Sequence, residues 1–207
     1  MTTKPANRRI RVFINCPFDA EFAPIQDAIN FAVITCGFKV NSAATIEDSG
    51  QLRLAKIIDL IADSSLSIHD LSRVELDPRS NLPRFNMPLE LGIALGMKYL
   101  GRRKLRDHQL LVLDSKPYRY QQSMSDIAGV DPKSHGKNPA QAIVEVRNFL
   151  AAHSAERLPG PDAISSLYTL FNAVLPSDLA PHRQKSHELT PAERLRLMES
   201  FVAGAAA

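Results

Sequence analysis

"RIRVFINCPFDAEFAPIQDAINFAVITCGFKVNSAAT", residues 9–45, is the stretch whose reading decides the fold. Residues 9–16 alternate and are rich in β-branched side chains, which reads as a strand. Residues 21–37 carry apolar side chains at helical spacing and close on Gly37, a favoured helix-stop residue. A second strand is expected over 38–45.

The same alternation continues along the chain. Leu52, Leu54, Ile57, Ile58 and Ile61 mark an amphipathic helix over 49–65, and residues 66–72 read as a third strand. A helix over 88–101, a strand over 109–115 and a helix over 138–154 complete the series. Short apolar strands alternating with helices predict an α/β domain whose doubly wound parallel sheet is covered on both faces.

The boundary of that domain is placed at residue 156, giving an α/β domain over 1–156 and a small helical C-terminal extension over 157–207. The extension opens with a turn signal at 157–161 and a helix over 162–175, then a polar linker over 176–188. Thr190, Pro191 and Glu193 form a capping-box pattern at the start of a tail helix. Its stripe of Leu195, Met198, Val202 and Ala205 must dock on the domain or on another subunit.

Composition narrows the class. Hydrophobic content of 44% with 23% charged residues is that of a globular chain. No apolar run approaches the roughly 18 residues that span a bilayer, and no apolar segment follows the charged N-terminus. Absence of membrane contact and a cytoplasmic location are expected. A net charge of +3, from 25 basic and 22 acidic residues, is too balanced to argue for direct nucleic-acid binding. The basic cluster at 101–108 reads as a solvated linker. Cys16 and Cys36 are too few for a disulfide framework, and reduced thiols are expected.

Several chemistries lack their motifs. There is no G-x-G-x-x-G after the first strand and no P-loop, which argues against ordinary dinucleotide dehydrogenases and P-loop NTPases. The six histidines show no H-E-x-x-H and no tight pairing with cysteine, so no metal and no cofactor is expected. His69 reads as a core histidine and Cys16 as a small buried hydrophobe. No G-x-S-x-G elbow is present.

In such folds the site lies at the carboxyl ends of the strands. Four segments fall there: 16–22, 45–51, 69–86 and 114–120. They bring the carboxylates Asp19 and Asp70, with Glu90 following the third and longest. A glutamate in a first helical turn offsets orphan N–H groups and the macrodipole, and that alone can explain Glu90. Its company argues otherwise. Gly92 and Gly96 give the helix a smooth face for close packing, and an apolar helix of this kind lies deep against the sheet with its N-terminus open to the cleft. The dipole would then help keep Glu90 ionised, which suits attack on, or stabilisation of, an oxocarbenium-like sugar carbon.

"ELGIAL" (90–95), followed by the strand "LLVLD" (110–114), resembles the E-L-G-x-A-L helix of the nucleoside 2-deoxyribosyltransferases, which carries their nucleophilic glutamate. "NCPFD" (15–19) is similar to their early G-P-F turn, and "SIHDLS" (67–72) to their third strand, which ends in an aspartate at the cleft. The wider group includes Toll/interleukin-receptor (TIR) domains, many of them bacterial NAD hydrolases. "VFINCPFD", "IHDLSR", "LPRFNMPLELG" and "SDIAGVD" together resemble a family of bacterial TIR-like proteins, over roughly residues 9–150. The resemblance implies a flavodoxin-like or TIR-like fold and a hydrolase that cleaves an N-glycosidic bond in a nucleotide, with NAD as the leading substrate, in bacterial anti-phage defence. By the same resemblance Glu90 is the nucleophile or charge stabiliser. Asp70 orients ribose hydroxyls, Phe18 packs on base or ribose, and Asn86 hydrogen-bonds the substrate, with Asp19 lining the same site. Arg84 stands where the transferases carry an aspartate. With Arg53, and with Arg73 in the same connection, it points to a phosphate-bearing ligand, NAD or a nucleoside phosphate. A homo-oligomer is expected. The alternatives are a non-catalytic nucleotide-binding sensor and a self-assembling signalling module.

Overall fold

The structure is a computed structural model that describes residues 9–73, 76 and 81–205. Its sheet has five strands: β1 (Arg11–Asn15), β2 (Lys39–Asn41), β3 (Leu66–Asp70), β4 (Gln109–Asp114) and β5 (Lys133–Ser134). All pair in parallel, in the order β2-β1-β3-β4-β5. This is the flavodoxin-like order, whose switch point lies where β1 and β3 run side by side.

Among the described residues there are seven helices: α1 (Ala23–Thr35), α2 (Arg53–Ala62), α3 (Asn86–Leu100), α4 (Arg103–Arg106), α5 (Pro139–Ala152), α6 (Pro161–Leu179) and α7 (Pro191–Ala205). Strand periodicity sorts the side chains between the two faces. Val12, Ile14, Leu66, Ile68, Leu111 and Leu113 pack with α1 and α5, and the buried side chains of α6 and α7 belong to the same cluster. Phe13 packs with α2 and Ala94 of α3, while Val112 meets Met87 and Leu91 of α3. No helix among the described residues is long and apolar enough to cross a membrane.

Local chemistry explains most boundaries. Gly37 ends α1 at a φ of +82°, a left-handed conformation that a side chain would strain. At Gly101 a Cβ would lie 2.2 Å from the Met97 carbonyl oxygen, so only glycine fits the end of α3. α7 opens with the expected box: Glu193 N–H donates to Thr190 Oγ1, and Thr190 N–H to Glu193 Oε2.

Some boundaries differ from the sequence expectation. α3 starts at Asn86, ahead of Pro88, because the first four helical N–H groups have no intrahelical partner and a proline there breaks no bond. α6 continues through Pro176 to Leu179, with Leu175 and Leu179 buried in the core holding its last turn. Part of the basic linker is the short helix α4. β2 is shorter than expected and passes into a 3-10 turn at Ala43–Thr45.

The expected close packing of Gly92 and Gly96 is not found. Nothing lies within 4 Å of a Cβ built at either position. α3 buries only Met87, Glu90, Leu91 and Ala94, and Leu89, Tyr99 and Leu100 are exposed. It is a half-buried surface helix, not one sunk against the sheet. The tail stripe docks within the chain, where Met198 is fully buried beside α1 and α6.

Candidate active site

Three strands end in polar side chains that are almost fully buried: Asn15 on β1, Asp70 on β3 and Asp114 on β4. Residues 74, 75 and 77–80 of the long connection after β3 lie outside the described residues.

Glu90 is 7% exposed. It is the fifth residue of α3, past the first turn, so it caps none of the helix's orphan N–H groups. The capping explanation therefore does not apply. Among the described residues nothing hydrogen-bonds its carboxyl, and Arg53 is the only cation whose charge offsets its burial. Burial wins, and the carboxyl is pushed up to about 7. The expectation that the helix dipole holds Glu90 ionised is thus corrected. Near neutrality the group is divided between acid and base, which suits proton transfer as well as nucleophilic attack.

Beside α3 runs a chain of buried hydrogen bonds. Asn15 Nδ2 donates to the Met87 carbonyl (3.0 Å) and to His69 Nδ1 (3.1 Å), tying the first turn of α3 to the end of β1. His69 Nε2 meets Ser67 Oγ at 2.9 Å, Ser67 Oγ meets His108 Nε2 at 2.8 Å, and His108 Nδ1 meets the Ser64 carbonyl at 3.0 Å. A carbonyl only accepts, so His108 carries its proton on Nδ1, Ser67 donates to His108, and His69 donates to Ser67. Every link then has one direction, and both rings are neutral. Burial accounts for this: it drives His69 down to about 3 and lowers His108 as well.

Asp70 lies on the other face, in the alternation of Leu66 and Ile68. Both its oxygens are engaged within the protein. Oδ1 accepts from the Ser72 N–H at 2.8 Å, and Oδ2 lies 3.0 Å from His135 Nε2. Ser72 Oγ is 2.9 Å from the same nitrogen. The residue types are those of a serine triad, but the geometry is not. A triad sets its serine and its acid on opposite ring nitrogens, whereas here His135 Nδ1 accepts the Lys137 N–H at 3.0 Å. This cluster fastens the end of β3 to the loop before α5.

The remaining sequence candidates fall into two groups. Asp19 pairs with Arg84 at 3.5 Å and with Arg73 at 3.2 Å, and Glu21 pairs with Arg73 and Lys137. Two of the three arginines expected to grip phosphate, Arg73 and Arg84, are thus already partnered by carboxylates. Arg53 and Asn86 are exposed at the starts of α2 and α3, and Phe18 is exposed on the β1–α1 loop. The Cys16 thiol is buried and is raised well above its ordinary range by that burial, then by the charges of Asp70, Glu90 and Asp27. It is no nucleophile.

The sequence reading missed Asn15, Ser67, Ser72, His108 and His135 as site-forming groups. Ser67 and His69 could have been paired, since alternate strand residues share a face. His135 reaches Asp70 across 65 positions, with no local signal. Comparison with protein-family models and with curated proteins finds no match for this chain.

Proposed function

We propose that this chain cleaves an N-glycosidic bond in a nucleotide, with NAD the leading substrate, and that Glu90 carries the reaction. One observation carries the reading: a buried carboxyl without a hydrogen-bond partner among the described residues, near one arginine, on the helix that follows β3. Resemblance to TIR-like proteins and to the deoxyribosyltransferases adds the choice of bond and a role in bacterial defence.

The chemistry balances as follows. The C1′–N bond breaks with both electrons leaving on the base nitrogen, while ionised Glu90 bonds to, or stabilises, the positive sugar carbon. Water then supplies the hydroxyl at C1′, any C1′–O bond to Glu90 breaking with its electron pair returning to the carboxylate, and the water's proton passes to a carboxylate or to solvent. Nicotinamide leaves without a proton because the electron pair neutralises its ring charge. Other bases need one, which the protonated form of Glu90 can give.

A non-catalytic nucleotide sensor is favoured by a different observation. Asp70 is wholly committed to Ser72 and His135, and is not free to orient a ribose. Incubating the protein with NAD, deoxynucleotides and nucleosides and measuring free base by chromatography separates the two readings. Release that falls by roughly two to three orders of magnitude in Glu90→Gln is the expected result. Binding without release in the unmodified protein would establish the sensor.

A further inference from the structure

A cavity of about 620 Å³ lies between α1, the turn after β2 and the tail. That volume falls within the range of small-molecule sites, roughly 300–1,000 Å³. Val40, Leu195 and Met198 contribute apolar wall, and Phe18 brings a half-exposed ring from the β1–α1 loop. Gln26, Asn30, Ser42 and Thr45 contribute hydrogen-bonding side chains.

Its electrostatics ask for a neutral ligand. Of its lining residues Asp27 and Arg194 carry full charge, and they are bound to each other, with Arg194 Nε donating to Asp27 Oδ2 at 2.6 Å. The same guanidinium donates to Ser186 and Asn172, so it is spent on pinning the tail. A site with apolar walls, polar edges, an aromatic ring and no spare charge fits a nucleobase with its ribose.

Its position relates it to Glu90. Asn15, three residues ahead of Phe18 in the chain, donates to the Met87 carbonyl in the first turn of α3, the helix that carries Glu90, and Phe18 lines the cavity. The reaction centre and the cavity thus flank one short stretch, with Arg73 and Arg84 held on the neighbouring Asp19. We propose that the cavity is a nucleoside subsite, holding the adenosine half of a dinucleotide while the glycosidic bond of the other half meets Glu90. The identity of the ligand rests on the N-glycosidase reading. The consequence is that the C-terminal segment, far from the motifs in sequence, selects dinucleotides over mononucleotides.

The test uses the full chain and two ligands. Adenosine titrated calorimetrically into the Glu90→Gln protein should bind, and Ala44→Phe, which fills the cavity wall, should weaken it by roughly ten-fold or more. In turnover, Ala44→Phe should raise KM for NAD by a similar factor, with kcat and the KM for nicotinamide riboside little changed. Should that variant fail to fold, inhibition of the unmodified protein decides. Adenosine should compete with NAD and leave nicotinamide riboside cleavage untouched. Inhibition of both substrates alike, or no adenosine binding, overturns the subsite. Base released with no adenosine bound removes the cavity proposal alone. No base released from any substrate removes the glycosidase reading, and the adenosine titration then still judges the cavity as a nucleoside site.

Discussion

The two faces of the sheet are built on opposite plans. On the α1 side, greasy residues are inside and the layer is thick. Phe31, Tyr168, Phe171 and Phe201 stack there with ring centres 5.4–6.3 Å apart, beneath α6 and α7. On the α3 side, Asn15, Ser67, His69 and Glu90 are buried, while Leu52, Phe85, Leu89, Tyr99 and Leu100 are exposed. The α1 face keeps to the local rules of burial apart from Asp70 with His135 and Asp27 with Arg194, and the α3 face departs from them more widely. Such inversions gather where a chain keeps chemistry, and the stability they cost is made up elsewhere. Here the elsewhere is the opposite side of the same five strands.

If that division is real, the largest loss of stability should come from the α1 side. Phe31→Ala removes a fully buried ring and should cost about 3–5 kcal/mol in urea unfolding. A loss below about 1 kcal/mol would break the comparison.

Next in size is a pH effect on the α3 side. The Glu90 carboxyl is raised from 4.5 to about 7 in the folded protein, so between those values the native state holds more protons than the unfolded chain. Wild-type stability contributed by this group is therefore full at low pH and is lost as pH rises through 7. Glu90→Gln should abolish that loss, matching wild type near the lower end of the window and exceeding it at pH ~8 by on the order of 1–3 kcal/mol. His69 works in reverse: its folded value lies near 3 against 6.5 ordinarily, so its contribution is present above 6.5 and lost as pH falls toward 3. Comparing the two proteins at each pH cancels the histidine.

A smaller effect sharpens the electrostatics. Arg84 is half exposed and shares Asp19 with Arg73. Arg84→Glu should weaken NAD by no more than about ten-fold at low salt, less as salt rises, and leave the matching nucleoside unchanged. Equal losses for both ligands in calorimetry would show that Arg84 faces no phosphate. Smallest of all, Leu89→Ala on the outer side of α3 should shift unfolding by only about 0.5 kcal/mol.

How much of this was legible in the sequence depended on the range of the interaction. The α/β alternation was plain because strand and helix periods repeat within ten residues or so. β5 was invisible: Lys133 and Ser134 carry no apolar signal, and the strand exists because β4 offers it an edge. Glu90 stood out by its motif, but its protonation did not. Reading α3 as starting at Pro88 put the carboxyl in the first turn, where the dipole would rule, and the real start at Asn86 leaves burial in control. Asp70 was found as a residue and misjudged in its availability, since both its partners depend on how the loops fold back over the strand ends.

The lengths of the strands have a bearing on how copies of this chain can meet. The sheet is bounded by β2, with three residues, and β5, with two, while the interior strands run to five and six. Open backbone at a sheet margin is what lets one chain add itself to another, strand by strand, and here that template is only one or two hydrogen bonds long. Runaway fibre growth by edge-to-edge addition is therefore disfavoured by the architecture. Association through helix side chains, unlike strand addition, is open to tuning by point substitutions.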